Sequence, residues 1–565
     1  MTSPDPSVDA LNAPTARRWW TFITDPPHDP AVKAHDRRWW ILLVLCFSLM
    51  VIVLDNTILN VALPRIQEDL NASQSQLAWM VDSYTLVFAC LLLTAGSLGD
   101  RFGRRGALQF GLLVFGFGSL ISAFADSPAH LIATRALMGV GGAFIMPATL
   151  SILTNVFPPQ ERGKAIGVWA GVSGLGIALG PLAGGLLLEH FSWGSIFLVN
   201  LPIVAFALVA GWFLIPTSKD PAAPKLDLVG AGLSVVGLTA LLYGLIQAPD
   251  HGWGSSPILG AFAVGAVVLG VFVWWESRSD HPMLEITFFK NPRFSAASTG
   301  ITLVFFAMFG TTFLLTQYFQ LVLGYSPLEA GVRFLPWAAS IMITAPLSAI
   351  LVQRIGTKLV VGIGLSLCTV SFLLMTGFAV DTAYLDIVWR MLFLGVGMGL
   401  TMAPATESIM GSLPLAKAGV GSAVNDTTRQ VGGALGVAVI GSVLASVYGS
   451  KMSDFLGHAQ LPAAAATEIK KGLGNAVYVT QHATGVPAAA KQAVVTAAQS
   501  SFVEGLTTAV YVSAVATVIG AIVAFLWLPA RASEDSVHRQ EAELGAELPG
   551  AFGGRGEESG AHATV

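Results

Sequence analysis

Apolar runs long enough to cross a membrane fill most of this 565-residue sequence. A helix needs about 20 apolar residues to cross the hydrocarbon core of a bilayer. We count fourteen such runs, which begin near Trp40, Leu77, Ala107, Leu131, Gly163, Gly194, Leu226, Pro257, Ser295, Gly331, Leu359, Leu385, Gly419 and Gly505. Charged residues make up 11% of the chain, against about 25% in a typical soluble domain. A soluble protein of this length could not cover its surface with so little charge, so the sequence predicts an all-α polytopic membrane protein.

The distribution of Lys and Arg predicts the orientation of the chain. With the N-terminus placed in the cytoplasm, the inner segments hold 21 of the 30 basic residues and the outer loops hold five. Cytoplasmic loops carry an excess of Lys and Arg in membrane proteins. We therefore expect both termini to be cytoplasmic, in a protein of the cell membrane. The first apolar run is too long for the core of a signal peptide and lacks a cleavage site.

Several classes of chemistry lack the residues that they need. The three cysteines (Cys46, Cys90 and Cys368) all lie inside apolar runs, which argues against a disulfide framework or a cysteine zinc site. No GxxxxGK[ST] loop is present, so ATP hydrolysis is not expected, and a net charge of −4 gives no reason to expect nucleic acid. We expect no cofactor and no metal.

The two halves of the sequence repeat each other at an offset near 255 residues. Residues 147–152 (PATLSI) return as 404–409 (PATESI), and 100–105 (DRFGRR) has a counterpart in 353–358 (QRIGTK). Residues 157–163 match 413–419, and Arg135 lies opposite Arg390. Four matches in order at one offset favour a true repeat over chance. Two like halves around a central pathway are the plan of many secondary transporters.

Spans seven and eight have no counterpart in this repeat, so we expect six helices, two inserted helices and six more. The predicted segments are a cytoplasmic N-terminal segment (1–38), the first half (39–215), the inserted pair with flanking loops (216–294), the second half (295–528) and a disordered cytoplasmic tail (529–565). Within the second half, the Ala-rich outer loop 448–504 has the composition for one or two short surface helices.

Four motifs in order resemble the major facilitator superfamily over residues 40–528. Residues 96–105 (GSLGDRFGRR) are similar to its loop signature, and residues 54–64 (LDNTILNVALP) to the first-helix signature of its fourteen-helix drug:proton antiporter branch. Residues 135–142 (RALMGVGG) resemble the fourth-helix motif, with Met138 where the family usually has Gln, and 176–185 (GIALGPLAGG) the fifth-helix antiporter motif. The resemblance implies a major facilitator fold and export of drugs in exchange for protons.

Two carboxylates and one arginine are the candidates for proton coupling and substrate binding. Asp55 lies past the middle of span one, while Asp82 and Arg135 enter spans two and four from outside, so all three have similar depth. A charge within the bilayer is costly and marks a functional site by default. Asp55 and Arg135 could instead form a static pair that fastens helices, and Asp82 could sit in an outer water vestibule. The second-helix Asp82 resembles that of exporters of quaternary ammonium and other lipophilic cations.

The second half supplies three further charged candidates. Glu407 replaces Leu150 of the repeat near the inner end of span twelve, and a functional and a structural role are equally open for it. Asp426 and Arg429 lie one helical turn apart in span thirteen, which favours a structural pair.

Two glycine-containing segments are candidates for conformational gating. Gly176, Gly180 and Gly184 fall on one face of span five, with Pro181 among them, so the helix could act as a close-packed element or as a seal or hinge between the halves. In the loop signature, whose gating candidates are Gly96, Asp100, Arg101, Gly103, Arg104 and Arg105, Asp100 could accept hydrogen bonds from a facing helix N-terminus. Otherwise the loop is only a topology signal. The resemblance implies that it stabilises the outward-open state.

The sequence therefore predicts a proton-coupled antiporter, not an enzyme, that exports lipophilic cationic compounds through the cytoplasmic membrane as a monomer. Its expected partners are those small substrates, protons and the lipid bilayer. A dedicated exporter of an antibiotic made by the host is the alternative. A polytopic membrane enzyme is more remote, because no Asp-rich or His-rich motif lies on the spans.

Overall fold

Long helices build the molecule. The computed structural model describes residues 36–220, 226–457, 462–482 and 487–530, so most of the segment 1–38 and of the tail 529–565 lies outside the described residues. The fourteen helices are α1 (Arg38–Leu70), α2 (Gln74–Phe102), α3 (Arg104–Ser122), α4 (Pro128–Val156), α5 (Pro159–His190), α6 (Asn200–Leu214), α7 (Leu228–His251), α8 (Ser256–Glu276), α9 (Pro292–Gln317), α10 (Leu335–Ile355), α11 (Thr357–Met375), α12 (Tyr384–Met410), α13 (Ala418–Leu456) and α14 (Ala488–Trp527).

The predicted spans correspond one for one to these helices. Thirteen of the helices in the described residues are long and apolar enough to cross a membrane. The fifth predicted span corresponds to α5, which is outside those thirteen but has 32 residues and therefore a length of about 48 Å. The all-helical class is confirmed, and thirteen is close to the predicted fourteen.

Local sequence signals set several helix ends. Ser73 and Gln76 form a capping box at the start of α2, and Ser127 caps α4 just before a proline in its first turn. Gly103, at φ +114°, separates α2 from α3, a conformation that side chains with a Cβ rarely adopt. Its counterpart Gly356, at φ +85°, separates α10 from α11, as the sequence repeat predicts.

The two halves have the same packing pattern. In the first half, α1 packs on α4, α5 and α6, α2 packs on α4, and α3 packs on α4 and α6. The equivalent pairs of the second half all recur, with α9 on α12, α13 and α14, α10 on α12, and α11 on α12 and α14. Two six-helix halves with two inserted helices are therefore confirmed as the architecture.

The halves meet along two reciprocal seams, α2 against α13 and α5 against α10. Glycines allow the backbones to approach closely in both. A Cβ added at Gly96 of α2 would lie 2.6 Å from the carbonyl oxygen of Gly419, and one added at Gly167 of α5 would lie 2.7 Å from that of Ala345. Because these neighbours are backbone atoms, a larger side chain could fit only if the helices moved apart.

The inserted pair makes the two seams unequal. Helix α7 packs on both α2 and α13, so it covers one seam from the outside. Trp79 of α2 stacks on Tyr243 of α7, and Trp253, just after α7, donates a 2.8 Å hydrogen bond to Ser442 of α13. Helix α8 packs on α7, and only 17% of its most apolar 18-residue stretch is buried in the protein. Beside the other seam, a short helix, Pro327–Arg333, packs on α5 and contacts α10.

We call the end of the bundle that carries the 100–105 loop the inner end, and the opposite end the outer end. At the outer end, α13 and α14 contain 39 and 40 residues, far more than a bilayer needs. Two short helices, Ala463–Lys470 and Leu473–His482, pack beside their extensions. Tyr448 of α13 donates a 3.0 Å hydrogen bond to the carbonyl oxygen of Ile469. The short helices predicted for the 448–504 loop are therefore present.

The close approach at Gly167 can be tested by adding one methyl group. Gly167→Ala would place the new Cβ 2.7 Å from the Cα of Pro346, and overpacking of this kind typically costs about 1–3 kcal/mol. We expect a lower thermal unfolding midpoint in detergent and slower transport.

The matched control is Gly270→Ala on α8, where the added Cβ meets no atom within 4 Å. Alanine favours a helix over glycine, so this variant should unfold at the same temperature as the wild type or slightly above it. Equal behaviour of the two variants would contradict a close-packed α5–α10 seam.

Candidate functional site

An enclosed ion pair lies in the first half. Asp55 of α1 and Arg135 of α4 both have side chains with 0% exposure, and Nη1 of Arg135 donates to Oδ2 of Asp55. The sequence placed these residues at similar depth, and the structure brings them into direct contact. A buried charge is tolerated when it is paired and its remaining polar atoms have partners.

The guanidinium of Arg135 is held from two further sides. Its Nε donates a 3.1 Å hydrogen bond to the carbonyl oxygen of Met80 on α2. Its Cζ lies 4.5 Å from the ring centre of Tyr84, a cation–π contact. Met138, which stands where the family motif usually has Gln, approaches Nη1 at 4.0 Å through its sulfur. Arg135 therefore joins α1, α2 and α4 at one point.

Sequence reasoning missed Asn200, the first residue of α6. Its Nδ2 donates to Oδ1 of Asp55 at 3.1 Å and to Oγ of Ser119 on α3 at 3.1 Å. Ser119 in turn donates to the carbonyl oxygen of Phe197 at 2.8 Å. Asn200 stands alone as a polar residue between a helical turn (Ser195–Leu198) and an apolar helix. It belongs to no sequence motif, so no pattern could have identified it.

Helix α5 connects the helix of Asp55 to the second half. Cβ atoms added at Gly176, Gly180 and Gly184 would meet Val53, Thr57 and Ile58 of α1. This face therefore packs on α1 within the first half, as a close-packed element. The role of the helix as a seal or hinge between the halves stays a prediction. Gly167, Gly171 and Gly174 of α5 instead face α10. The side chain of Pro181 lies outside the described residues.

The 100–105 loop joins the halves at the inner end. Asp100 accepts hydrogen bonds from the backbone N–H groups of Gly419 (2.8 Å) and Val420 (3.0 Å), in the first turn of α13. This is the contact with a facing helix N-terminus that the sequence suggested. Asp100 also accepts from Nε of Arg104 at 2.9 Å, and Nη2 of Arg104 donates to the carbonyl oxygens of Leu415 (2.7 Å) and Ala416 (3.1 Å).

The other basic residues of the loop lie differently. Arg105 stays within the first half, where it donates to the carbonyl oxygen of Ile215 at 3.4 Å and stacks over Trp212. Arg101 lines a cleft together with Asp220 and Lys417, and Nζ of Lys417 lies 4.0 Å from Oδ2 of Asp220. Arg104 thus donates hydrogen bonds directly to the second half, whereas the hydrogen bond of Arg105 stays within the first half.

Comparison with known proteins gives the same family as the motifs. The sequence pattern of the Major Facilitator Superfamily matches residues 45–437. The chain belongs to the Major Facilitator Superfamily.

Three known facilitators illustrate the relationship. The chain is 36% identical to the multidrug efflux pump LfrA of Mycolicibacterium smegmatis over 87% of this chain and 96% of that protein. It is 36% identical to the tetracenomycin C resistance and export protein of Streptomyces glaucescens over 77% of this chain and 81% of that one. A double-tryptophan mutant of XylE, with 14% identity and a TM-score of 0.58, covers 90% of this chain and 99% of its own, and shares the fold.

Within this facilitator, Asp82 lies near the Asp55–Arg135 pair along α2. It is half-buried and stands two residues after Met80, the carbonyl partner of Arg135. Trp79, about one turn away on α2, stacks on Tyr243 of the inserted helix α7. Asp82 is therefore placed on the helix that contacts the ion pair, the second half and the inserted pair.

The acids of the second half lie in two separate places. Glu407 is at the inner end of α12, where Nη2 of Arg293 donates to it at 3.1 Å. A Cβ added at Gly163 of α5 would lie 4.0 Å from Cγ of Glu407. The structure therefore places it among contacts between the halves and apart from Asp55. Asp426 and Arg429 are both buried on α13, with Nη1 and Oδ1 3.9 Å apart.

The Asp426–Arg429 pair has an additional link to the first half. Arg429 lies 5.2 Å from the ring centre of Trp169 on α5 and 5.1 Å from that of Phe305 on α9. Its Nη2 donates to Thr406 of α12 at 2.9 Å. Each half thus holds a buried Asp–Arg pair with an aromatic ring against the guanidinium, and the pair of the second half also contacts α5.

The inner-end contact predicts different effects for two neighbouring arginines. Arg104→Met keeps most of the side-chain volume but removes the bonds to Leu415, Ala416 and Asp100. Hydrogen bonds to charged groups contribute about 1.5–3 kcal/mol, so we expect the fraction of molecules with an open inner end to rise about tenfold or more. Spin-label distances between the halves at this end measure that fraction.

Arg105→Met is the matched control, because its contacts lie within the first half. It should leave the distance distribution close to that of the wild type. A wild-type distribution for Arg104→Met would remove the loop from the control of the conformational equilibrium.

Proposed function

We propose that this facilitator is a proton-coupled antiporter that exports lipophilic cationic compounds across the cell membrane, with both termini in the cytoplasm. The observation that carries the proposal is the enclosed Asp55–Arg135 pair. Helix α5 packs on α1 beside this pair and also on α10 of the second half. The names of the relatives, a multidrug efflux pump and an antibiotic export protein, support drug export. The proton gradient is the energy source, no cofactor takes part, and the monomer is the working unit.

The Asp55–Arg135 ion pair links the binding of a proton at Asp55 to a rearrangement of the helices. A proton on Asp55 would neutralise the carboxylate and leave the charge of Arg135 without its partner, at a site with 0% exposure. An uncompensated buried charge is costly, so protonation favours a rearrangement that lets Arg135 find water or other acceptors. Because α5 packs on α1 beside Asp55 and on α10 of the second half, a shift of α1 reaches the seam between the halves.

The contacts at the inner end are those expected of the conformational state that takes up protons from the outside. Asp100 and Arg104 of the first half hydrogen-bond to the second half at this end. With the termini in the cytoplasm, the inner end is the cytoplasmic end, and these contacts close it. In this state a proton from outside is taken up, and its arrival at Asp55 begins the return to the inward-facing state.

Energetics give a second acid a role. Exchange of one proton for one monocation moves no net charge, so it uses only the pH gradient, which supplies about 1.4 kcal/mol per pH unit. The membrane voltage supplies about 2.3 kcal/mol per charge per 100 mV, and its use requires at least two protons per monocation. Asp82 is the better candidate for the second acid, because Glu407 is paired with Arg293 at the inner end.

The relationship to the tetracenomycin C export protein favours one further candidate function. A dedicated exporter of an antibiotic made by the host would use the same ion pair and the same contacts of the 100–105 loop. The two functions differ in substrate range. A multidrug exporter removes structurally unrelated cations, whereas a dedicated exporter protects cells against a single chemical class.

Neutralising Asp55 tests the proton-coupling proposal. Asp55→Asn keeps the shape of the side chain but cannot carry the proton, so efflux of ethidium driven by a pH gradient in proteoliposomes should fall to the level of empty liposomes. Expression in the membrane should remain.

The control is Asp126→Asn, because the Asp126 side chain is 86% exposed in the loop before α4. It should transport like the wild type. Gradient-driven efflux by Asp55→Asn at the wild-type rate would remove Asp55 from the coupling mechanism.

Asp82 should select for the charge of the substrate. A dication gains more than a monocation from a second carboxylate near Asp55, so Asp82→Asn should lose efflux of dicationic dyes first and of matched monocationic dyes less. Neutral substrates should be spared. The measurement is an efflux panel of such matched dyes.

Equal loss across all charges would assign Asp82 to proton transfer or folding. Unchanged efflux of every dye would place it in an exposed vestibule without a role in selection.

A further inference from the structure

Asn200 occupies an unusual position for a buried amide. It has 0% exposure and begins α6 directly after the turn Ser195–Leu198. Its Nδ2 donates to both Asp55 and Ser119, whereas its Oδ1 is buried and has no hydrogen-bond partner among the described residues. An unpaired buried oxygen is costly, so a close-packed helix junction would be served better by an apolar side chain.

The surroundings of Asp55 contain few other polar groups. Arg135 reaches it from α4, and Asn200 reaches it from α6. Tyr84 of α2 lies against the guanidinium of Arg135. The face of α5 opposite this part of α1 is made of glycines. Among the described contacts, Asn200 is thus the neutral group that bonds the carboxylate directly.

We propose that Asn200 is a positioning residue that sets the pH at which Asp55 exchanges its proton. This inference rests on the proposed function, in which Asp55 is the proton carrier, and adds the residue that tunes it.

An amide is suited to both protonation states of its neighbour. Its N–H group donates to the carboxylate, as observed, and stabilises the charged form. When Asp55 is protonated, its O–H group becomes a donor, and the free Oδ1 of Asn200 is an acceptor within the same side chain. A rotation of the amide is then sufficient to keep Asp55 bonded after Arg135 has moved away.

Removing the amide should therefore shift the balance in one direction. Asn200→Leu keeps the branching at Cγ but cannot donate, so the charged form of Asp55 loses a stabilising bond and the protonated form persists to higher pH. A hydrogen bond to a charged group is strong enough to shift the midpoint upward by about one pH unit, a tenfold change in proton binding.

Infrared difference spectra of the full-length protein in liposomes measure this midpoint directly. The carbonyl stretch of a protonated carboxylic acid is assigned to Asp55 by its loss in Asp55→Asn and is followed against pH. A merely structural role for Asn200 would change protein stability without moving this band. Gradient-driven ethidium efflux, recorded over the same pH range, should show its optimum displaced in the same direction.

Asn155→Leu is the matched control. Asn155 is also buried in the first half, but its Nδ2 donates to Ser151 of its own helix at 2.9 Å. This variant removes a buried amide away from Asp55 and should keep the wild-type midpoint. Should Asn200→Leu fail to fold, Asn200→Ala removes the same donor without adding volume and is expected to shift the band in the same direction.

The outcomes separate this inference from the proposed function. An upward shift for Asn200→Leu or Asn200→Ala but not for Asn155→Leu supports the role of Asn200, even if the wild type proves to exchange no protons for ethidium. An unshifted Asp55 band, or a wild type with no such band at any pH, overturns the inference. Wild-type antiport together with an unshifted band would leave Asp55 as the carrier and Asn200 as a structural residue.

Discussion

The structure depends on a carboxylate and a guanidinium that are enclosed together away from water. Replacing a buried ion pair by well-packed apolar residues is often neutral or stabilising, whereas removing one partner typically costs about 3–5 kcal/mol. The Asp55–Arg135 pair thus contributes little to stability alone, but in the proposed function it would make the first half sensitive to a single proton. Its neighbours Met80, Tyr84 and Asn200 fix the pair at a junction of several helices, so a change of charge there cannot remain local.

Helix α5 gives that change a route to the second half. One of its faces packs on α1 at Val53, Thr57 and Ile58, and another packs on α10. Trp169 of the same helix lies against Arg429, the cation of the second buried pair. Close-packed helices shift as units and do not deform continuously. In the proposed mechanism, a small displacement of α1 would be passed to both the seam and the second pair, and would couple the two Asp–Arg pairs through one helix.

The sequence was sufficient for the features that depend on composition and order along the chain. The apolar runs were enough to predict the spans, and depth along those spans was enough to associate Asp55 with Arg135. The sequence was insufficient where the packing partner of a residue depends on the direction in which its helix face points. The spacing of Gly176, Gly180 and Gly184 indicates close packing but not the partner, which is α1 and not the second half. Asn200 escaped notice because its importance comes from a neighbour 145 positions away in the chain.

The inserted helices break the symmetry between the two six-helix halves. Two seams hold the halves together, and each is made by the same helix types in exchanged roles, α2 with α13 and α5 with α10. A helix that packs on both α2 and α13 resists the separation of these two helices, so the two seams cannot open equally. Helix α7 makes such contacts, through Tyr243 near one side and Trp253 near the other. The α2–α13 seam, on which α7 packs, is thus better suited to act as the fixed axis of rocking, and the α5–α10 seam as the one that slides.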